Sequence, residues 1–406
     1  MKILITTDAY DAMINGVAIS VKTLYTALTE SGNEVRILTL SQTHQSYKNG
    51  DVYYIGSVPI KIYPDARATL SFHNNLLDEI VEWKPDIIHS QCEFFTFIFA
   101  RKLSRILDIP IVHTYHTLYE YYTHYFCPSK TLGKKIVAVG SKFICKRTDA
   151  VIAPTAKTAD ILENYGVDTP MSVIPTGLSL EKFKETPDSV SSASLRAKLG
   201  IPEDVPVLLT LGRVAREKNF DFFLKQMAAP EMRKTQAHLV IVGDGPDRER
   251  LECMGHNLHL KEAVHFTGMV KPDEVAAYYR IGDVFVSASQ SETQGLTYIE
   301  AMACGLPLLC RQDQCLSAVL VSGKNGYAFE SEDDFFENFS QVFQSKEHLK
   351  QLSSNAYQTA YYFSKEMFAR RAIQLYKDIM IERGAKEKCI RFACIPKQIW
   401  QKGTGF

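Results

Sequence analysis

Short apolar runs alternate with helix-patterned stretches through this chain, and the alternation occurs twice. Residues 1–7, Met-Lys-Ile-Leu-Ile-Thr-Thr, read as a strand; a helical pattern covers about 19–30; residues 35–40 read as the next strand. Further strands fall near Ile87, Ile111, Val151 and Val173. Residues 181–194 are polar, hold Pro187, Asp188 and several serines, and read as a linker. The series restarts at 205–211 and recurs at 239–242, 264–266, 284–286 and 308–309. Strands that alternate with helices form parallel sheets covered on both faces. The expected fold class is therefore α/β: two Rossmann-like, doubly wound domains facing a cleft. The expected division is 1–180, then 195–362, then 363–406 as a helix (365–382) crossing back to the first domain plus a basic tail. Ligands of such sheets bind outside the carboxyl ends of the strands. The residues that follow each strand are the candidates for function.

The richest strand end follows residues 283–286. Residues 287–307 carry Glu292, Gly295 and Glu300, with a helix expected from about Leu296 to Cys304, stopped by Gly305 and Pro307. A strand, a glycine turn and a helix N-terminus make an anion site, because unpaired N–H groups and the helix dipole point at one spot. Carboxylates repel phosphate but accept hydrogen bonds from hydroxyls, so Glu292 and Glu300 suit a sugar. A nucleotide sugar offers both groups at once.

Other strand ends supply the positive charge. Gly212-Arg213-Val214-Ala215-Arg216-Glu217-Lys218-Asn219 places a guanidinium and an ammonium where they converge on a diphosphate, unless this is only a solvated charged loop. Gly243-Asp244-Gly245 is a tight turn in which the glycines allow close backbone approach; it lines a cleft or simply leads into a helix starting near Asp247. The backbone of residues 266–270, ending at Val270, is placed to read a flat base. The first loop, with Asn15-Gly16-Val17, is not G-x-G-x-x-G, and no Walker A sequence occurs. In the first half, His113 and His116 precede Tyr119, Tyr121, Tyr122, His124 and Tyr125, a wall that suits a sugar, a lipid or a plain interface.

Composition narrows the partners. The 406 residues carry 46 basic and 46 acidic side chains, so bulk charge does not point to nucleic acid. Nine cysteines, with no C-x-x-C and no cluster with histidine, suit core thiols in a reducing cytoplasm. No apolar run approaches the ~18 residues of a membrane span. Between 129 and 148, however, Lys130, Lys134, Lys135, Lys142, Lys146 and Arg147 occur without one acid. Ile136, Val139 and Phe143 fall among them at helical spacing. That is the pattern of a helix lying on an anionic membrane, or of a solvated face. The tail adds Lys386, Lys388, Arg391, Lys397 and Lys402 beside Phe392, Ile395, Ile399 and Trp400, a second anchor or a frayed end.

Taken together, these motifs resemble the GT-B, family 4 retaining glycosyltransferases. Their signature is Glu, seven residues, Glu, as in Glu292 to Glu300. Asn15-Gly16-Val17, residues 173–178 (Val-Ile-Pro-Thr-Gly-Leu), the Arg213–Lys218 loop and the Gly243 turn follow the family in order. Residues 291–298, the Gly323-Lys324-Asn325-Gly326 turn and the histidine–tyrosine run are similar to one bacterial subgroup, the α-monoglucosyldiacylglycerol synthases. That resemblance implies transfer of glucose from UDP-glucose to the 3-hydroxyl of 1,2-diacylglycerol by a cytoplasmic enzyme held peripherally on the inner face of the membrane. It implies that Gly16 lets the first loop approach the donor and that His116 meets the donor sugar. Arg213 and Lys218 hold the diphosphate, Glu292 takes sugar hydroxyls, backbone N–H groups of Gly295, Leu296 and Thr297 cradle phosphate, and Glu300 binds the ribose. Many members carry Gly-Phe where this chain has Thr293-Gln294, so the sugar-facing side chains differ. The implied mechanism is front-face attack with retention, the leaving phosphate taking the proton. It requires no tightly bound cofactor and no metal, since Arg213 and Lys218 supply charge, though stimulation by Mg is compatible with it. Other readings are a glycolipid or polysaccharide acceptor, a glycosidase using Glu292 and Glu300 as an acid–base pair, and a non-catalytic nucleotide-sugar or lipid-binding module.

Overall fold

The computed structural model describes residues 1–10, 16–60, 67–69, 74–120, 123, 127, 129–184 and 192–384. Contacts divide the chain into two units: Met1–Gly177 with Lys365–Phe406, and Leu178–Ser364.

The first unit is built on a sheet whose strands are β1 (Lys2–Thr7), β2 (Glu34–Leu40), β3 (Tyr47–Asn49), β4 (Val52–Ile55), β7 (Ile87–Ser90), β8 (Ile111–Thr114), β9 (Ala150–Ala153) and β10 (Met171–Val173). Strands β5 (Val58–Pro59) and β6 (Arg67–Ala68) form a separate two-stranded ribbon. The sheet order is β10-β9-β8-β7-β1-β2-β4-β3, parallel except for β3 against β4. Side chains of a strand alternate between faces, and β1 shows it. Ile3 and Ile5 join Val21, Leu24 and Leu28 of the helix Gly16–Glu30 and Phe368, Ala372 and Tyr376 of the last helix, Lys365–Gly384. Leu4 joins Leu38, Ile88, Phe99 and Leu103 on the other face. The last helix thus covers one face of the first unit's sheet, beside the helix Gly16–Glu30. The chain reverses its direction of growth between β1 and β7, which makes that crevice the unit's natural ligand site.

The second unit has six parallel strands: β11 (Val207–Leu211), β12 (His238–Val242), β13 (Val264–Gly268), β14 (Val284–Ser287), β15 (Leu308–Arg311) and β16 (Gly326–Phe329). Their order is β13-β12-β11-β14-β15-β16, the order of a dinucleotide-binding sheet, with its switch point between β11 and β14. Leu209, Val240 and Phe285 face one core, while Leu208, Leu239, Ile241, Val284 and Val286 face the other.

Two local expectations are corrected. Asn-Gly is a strong turn signal, yet Gly16 opens the first helix rather than lying in a loop; Asn15 lies outside the described residues. The polar stretch after residue 180 is not all linker: Glu181–Lys184 and Ser192–Lys198 are short helices, and Leu195 packs into the core beside Ile201 and Ala277. Tyr121, Tyr122, His124, Tyr125 and the basic tail from residue 385 also lie outside the described residues.

Candidate active site

The switch point of the second unit gathers the charged residues. The loop after β11 carries Arg213 and Lys218, and the loop after β14 carries Glu292. Although 74 residues apart, Lys218 Nζ donates to Glu292 Oε1 in a short ion pair, with the two side chains 27% and 16% exposed. Arg213 Nη2 pairs in the same way with Glu217 Oε1 four residues on. Each cation of the loop is therefore matched by a carboxylate. Asn219, at φ 54° in the left-handed region, ends the short 3₁₀ turn Arg216–Lys218 and starts the next helix.

Glycines set the spacing of this floor. Gly243 has φ +128°, and a β-carbon there would lie 2.0 Å from the carbonyl oxygen of Gly212. Gly243 N–H donates to Gly268 O at 3.0 Å, and Val214 N–H to Asp244 O at 2.9 Å. The close approach expected of Gly243 and Gly245 is thus made to the loop that carries Arg213, pressing three strand ends together. Val270 packs partly buried against the core, while neighbouring Met269 is exposed.

Gly295 caps the helix Leu296–Ala303 with φ +71°, and its missing side chain makes room for the Tyr298 ring, which a β-carbon would meet at 2.4 Å. Gly295, Leu296 and Thr297 form the start of that helix, where main-chain N–H groups lack helical partners. Thr293 is part-exposed and Gln294 is buried. One turn into the helix, Glu300 Oε2 accepts a 2.8 Å bond from the Tyr279 hydroxyl. Burial raises the Glu300 pKa, and the Tyr279 bond opposes that rise.

In the first unit, the ends of β1, β7 and β8 carry a second polar cluster. His116 is part-buried and its Nε2 lies 2.7 Å from Gln91 Oε1. Burial lowers its pKa to about 4, outweighing the attraction of Glu93, and His113 lowers it further. The Tyr119 hydroxyl donates to Glu93 Oε2 at 2.7 Å, and the fully buried His113 places Nε2 3.5 Å from Glu93 Oε1. Asp8, after β1, accepts the Thr96 N–H at 2.8 Å from the first turn of the helix Phe95–Leu107. Behind His116, His89 joins the Tyr376 hydroxyl (2.6 Å) of the last helix to Thr114 Oγ1 (2.7 Å) of β8. Among the described residues, Asp8 Oδ2, Gln91 Nε2, Glu93 Oε1 and His113 Nε2 are buried without a hydrogen-bond partner, the last two facing each other at 3.5 Å. Asp8, Gln91 and Glu93 were not singled out by the sequence reading. The available signal was that polar residues follow β1 and β7 as directly as they follow β8. Gly16 begins the neighbouring helix and is exposed.

The basic helix expected near 129–148 is Lys130–Cys145, capped by Ser129. Gly133, Val137, Ser141 and Cys145 face inward, and Ser141 Oγ meets the Tyr115 hydroxyl at 2.7 Å. Its outer face exposes Leu132, Ile136, Val139 (70%) and Phe143. Lys134 reaches Glu120 and Lys146 reaches Asp168, each at 3.5 Å, and the Arg147 guanidinium covers the Phe143 ring. The adjoining helix Phe95–Leu107 exposes Ile98 and Ile106, with Phe94 at its cap, and Arg101 donates to Arg147 O at 2.8 Å. Among the described residues no helix is long and apolar enough to cross a membrane, and no His/Cys/Asp/Glu group has the arrangement of a metal site.

Comparison with known proteins follows the same two-part division. Residues 14–182 match the model of "Glycosyltransferase Family 4", and residues 191–359 match that of "Glycosyl transferases group 1". The chain is 33% identical to an alpha-monoglucosyldiacylglycerol synthase of Streptococcus pneumoniae, over 99% of this chain and 91% of that protein. It is 31% identical to the synthase of the same name from Acholeplasma laidlawii, over 95% of this chain and 99% of that protein. Among solved structures, Anabaena HepE in complex with UDP aligns with a TM-score of 0.72 at 16% identity, covering 93% of this chain and all of that one. Sucrose-phosphate synthase from Thermosynechococcus elongatus aligns at 0.70 and 22% identity, covering 94% and 99%. The last two establish a shared fold.

Proposed function

Since the chain belongs to glycosyltransferase family 4, we propose that it transfers glucose from UDP-glucose to the 3-hydroxyl of 1,2-diacylglycerol, with retention, at a membrane surface. The observation that carries this reading is the end-to-end match to two diacylglycerol glucosyltransferases. The switch-point geometry supplies its chemistry. Arrival of a diphosphate gives Lys218 and Arg213 a stronger anionic partner and turns Glu292 toward sugar hydroxyls. Negative charge grows on the leaving diphosphate, and two fixed cations stabilise it most where it is greatest. Glu300, steadied by Tyr279, takes the ribose hydroxyls. The acceptor oxygen attacks from the face the phosphate leaves, and a phosphate oxygen takes its proton, so no protein nucleophile is needed. The cations make a metal ion dispensable, and chelation by EDTA is expected to leave turnover in place.

The acceptor arrives from a bilayer. The exposed Leu132, Ile136, Val139 and Phe143, set among lysines, support peripheral docking on anionic lipid. Phe94, Ile98 and Ile106, with Arg101 and Arg105, extend that face.

The deciding experiment supplies UDP-glucose or UDP-galactose with diacylglycerol in anionic vesicles and analyses the lipid products. A single α-glucosyl lipid is expected. A product only on lipid that already bears a sugar, or only on a polysaccharide, replaces the acceptor. Donor binding without transfer to any acceptor makes the chain a binding module.

A further inference from the structure

We propose that Tyr279 is a positioning residue for recognition of the donor's ribose: its buried hydroxyl tethers one oxygen of Glu300 and leaves the other open to the ribose hydroxyls. The inference deepens the reading of Glu300 as the ribose acceptor and rests on it. Every residue it uses lies in the second unit.

Tyr279 ends the short helix Val275–Tyr279 ahead of β14 and is 0% exposed. Its ring centre lies 5.9 Å from that of Phe285 in β14 and 6.3 Å from that of Phe183. A hydroxyl sunk among rings costs free energy unless it is hydrogen-bonded. Glu300 Oε2, on the helix Leu296–Ala303, accepts from it at 2.8 Å, while Thr297 O of the same helix lies farther off at 3.3 Å. The phenol has one proton to give. An ionised carboxylate can only accept, and the bond to the charged acceptor is the stronger of the two. The bond in turn favours the ionised form of Glu300 against the burial that raises its pKa.

Glu300 is held by one oxygen only. Among the described residues its Oε1 has no hydrogen-bond partner, and unlike the orphaned atoms of the first unit it is not shut away from solvent. Satisfying the phenol alone would not require a carboxylate, because the Thr297 carbonyl is already within reach. A free glutamate loses rotamer freedom when it grips a ligand; one tethered to a core ring has given up much of it beforehand. The half-engaged carboxylate accepts from neutral hydroxyls and repels phosphate. The ligand it selects is therefore a ribonucleoside diphosphate over its deoxy counterpart.

Isothermal titration of the full chain with UDP and with 2′,3′-dideoxy-UDP measures what the ribose hydroxyls contribute. The wild type is expected to prefer UDP by more than about tenfold, as hydrogen bonds to a charged acceptor do. Glu300→Ala should abolish that preference. Tyr279→Phe, which keeps the ring in the core, should weaken UDP about fivefold, the cost of immobilising one side chain. It should leave dideoxy-UDP within about twofold, which also shows that the variant is folded, and should raise UDP-glucose KM more than it lowers kcat. Added to Glu300→Ala, Tyr279→Phe should cost UDP nothing further. Equal losses for both nucleotides, an intact preference in Tyr279→Phe, or the same loss in the Glu300→Ala background overturns the positioning role. If Glu300→Ala keeps the preference, the ribose reading fails and the positioning role falls with it. A preference lost in Glu300→Ala and intact in Tyr279→Phe strikes Tyr279 alone. A wild type that binds neither nucleotide overturns the donor reading as a whole.

Discussion

Replacing Asp8 with Asn should make the protein more stable at pH 8 and should remove a pH dependence the wild type has. The folded Asp8 carboxyl is buried, and burial raises its pKa from 3.8 to about 6, against the lowering effect of its bonds to Thr96 and with repulsion from Glu93 adding to the rise. A folded-state pKa above the unfolded one means that the native state binds the proton more tightly. Its stabilising effect is complete below about pH 3.8 and is lost as pH rises through 6. A gap of about two units at ~1.4 kcal/mol each makes the whole effect about 3 kcal/mol. Between pH 8 and pH 5, where protonation of the folded state is nearly complete and that of the unfolded state has barely begun, about 1.4 kcal/mol of it is recovered. Asn keeps the acceptor oxygen for the Thr96 N–H and cannot ionise. The stability difference, variant minus wild type, should therefore shrink by about 1.4 kcal/mol from pH 8 to pH 5. For a unit of this size that is about 3–5 °C in the first unit's Tm, followed by scanning fluorimetry at matched ionic strength. Taking the difference removes the contributions of His89, His116 and His265, whose lowered pKa values act in the opposite sense, losing stability as pH falls. A Tm difference that is flat with pH would show that Asp8 does not titrate in this window and refute the reasoning.

Three further outcomes are expected. Lys218→Ala should lower kcat about 10²-fold, as removal of one preorganised charge stabiliser does, with a much smaller change in UDP-glucose KM; unchanged turnover in steady-state assays would remove Lys218 from the mechanism. Ile136→Glu with Val139→Glu should sharply reduce co-sedimentation with phosphatidylglycerol vesicles while leaving the thermal transition in place, since both side chains are exposed; equal sedimentation would assign the docking face elsewhere. Gly243→Ala should destabilise the second unit by about 2 kcal/mol or more in urea titration, because the β-carbon must clear the Gly212 carbonyl and the backbone sits at φ +128°; a neutral result would mean that the loops separate at little cost.

The layered architecture was legible because apolar runs of four to seven residues recur with helices between them, as β1, β8, β11 and β14 show. What the one-dimensional pattern lacks is strand order. Arg213 and Lys218 were placed after one strand and Glu292 after another, but nothing in the spacing says that β11 and β14 are neighbours. The reversal of sheet order at that point makes them so and closes the Lys218–Glu292 pair. The glycines show the same limit: Gly243 signals close approach, and only the register of β11, β12 and β13 reveals that the approaching group is the Gly212 carbonyl. Asp8, Gln91 and Glu93 escaped notice because a lone acid or amide after a strand looks like any polar loop residue. Their importance comes from three strand ends meeting, which leaves side chains separated by about 85 residues in sequence in one buried cluster.

The pairing seen at the second unit's switch point bears on how such a site divides binding from catalysis. Lys218 and Arg213 are each already engaged by a carboxylate, Glu292 and Glu217. On the proposed reading a diphosphate arriving there replaces those partners, so part of the Coulomb gain of binding is spent in breaking existing pairs. Ground-state affinity is thereby held down. The transition state differs, since the leaving diphosphate gains negative charge while the cations stay put, and the exchange has by then been completed. The extra attraction falls wholly on the barrier, which is the only place where it accelerates the reaction. Glu292 contributes twice under this arrangement. It holds Lys218 in place, and on the proposed reading it becomes, once displaced, an acceptor for hydroxyls on the sugar ring. A neutral glutamine at 292 would keep the second property and lose the first. The charge of Glu292, more than its capacity to accept hydrogen bonds, is thus what organises the site in advance.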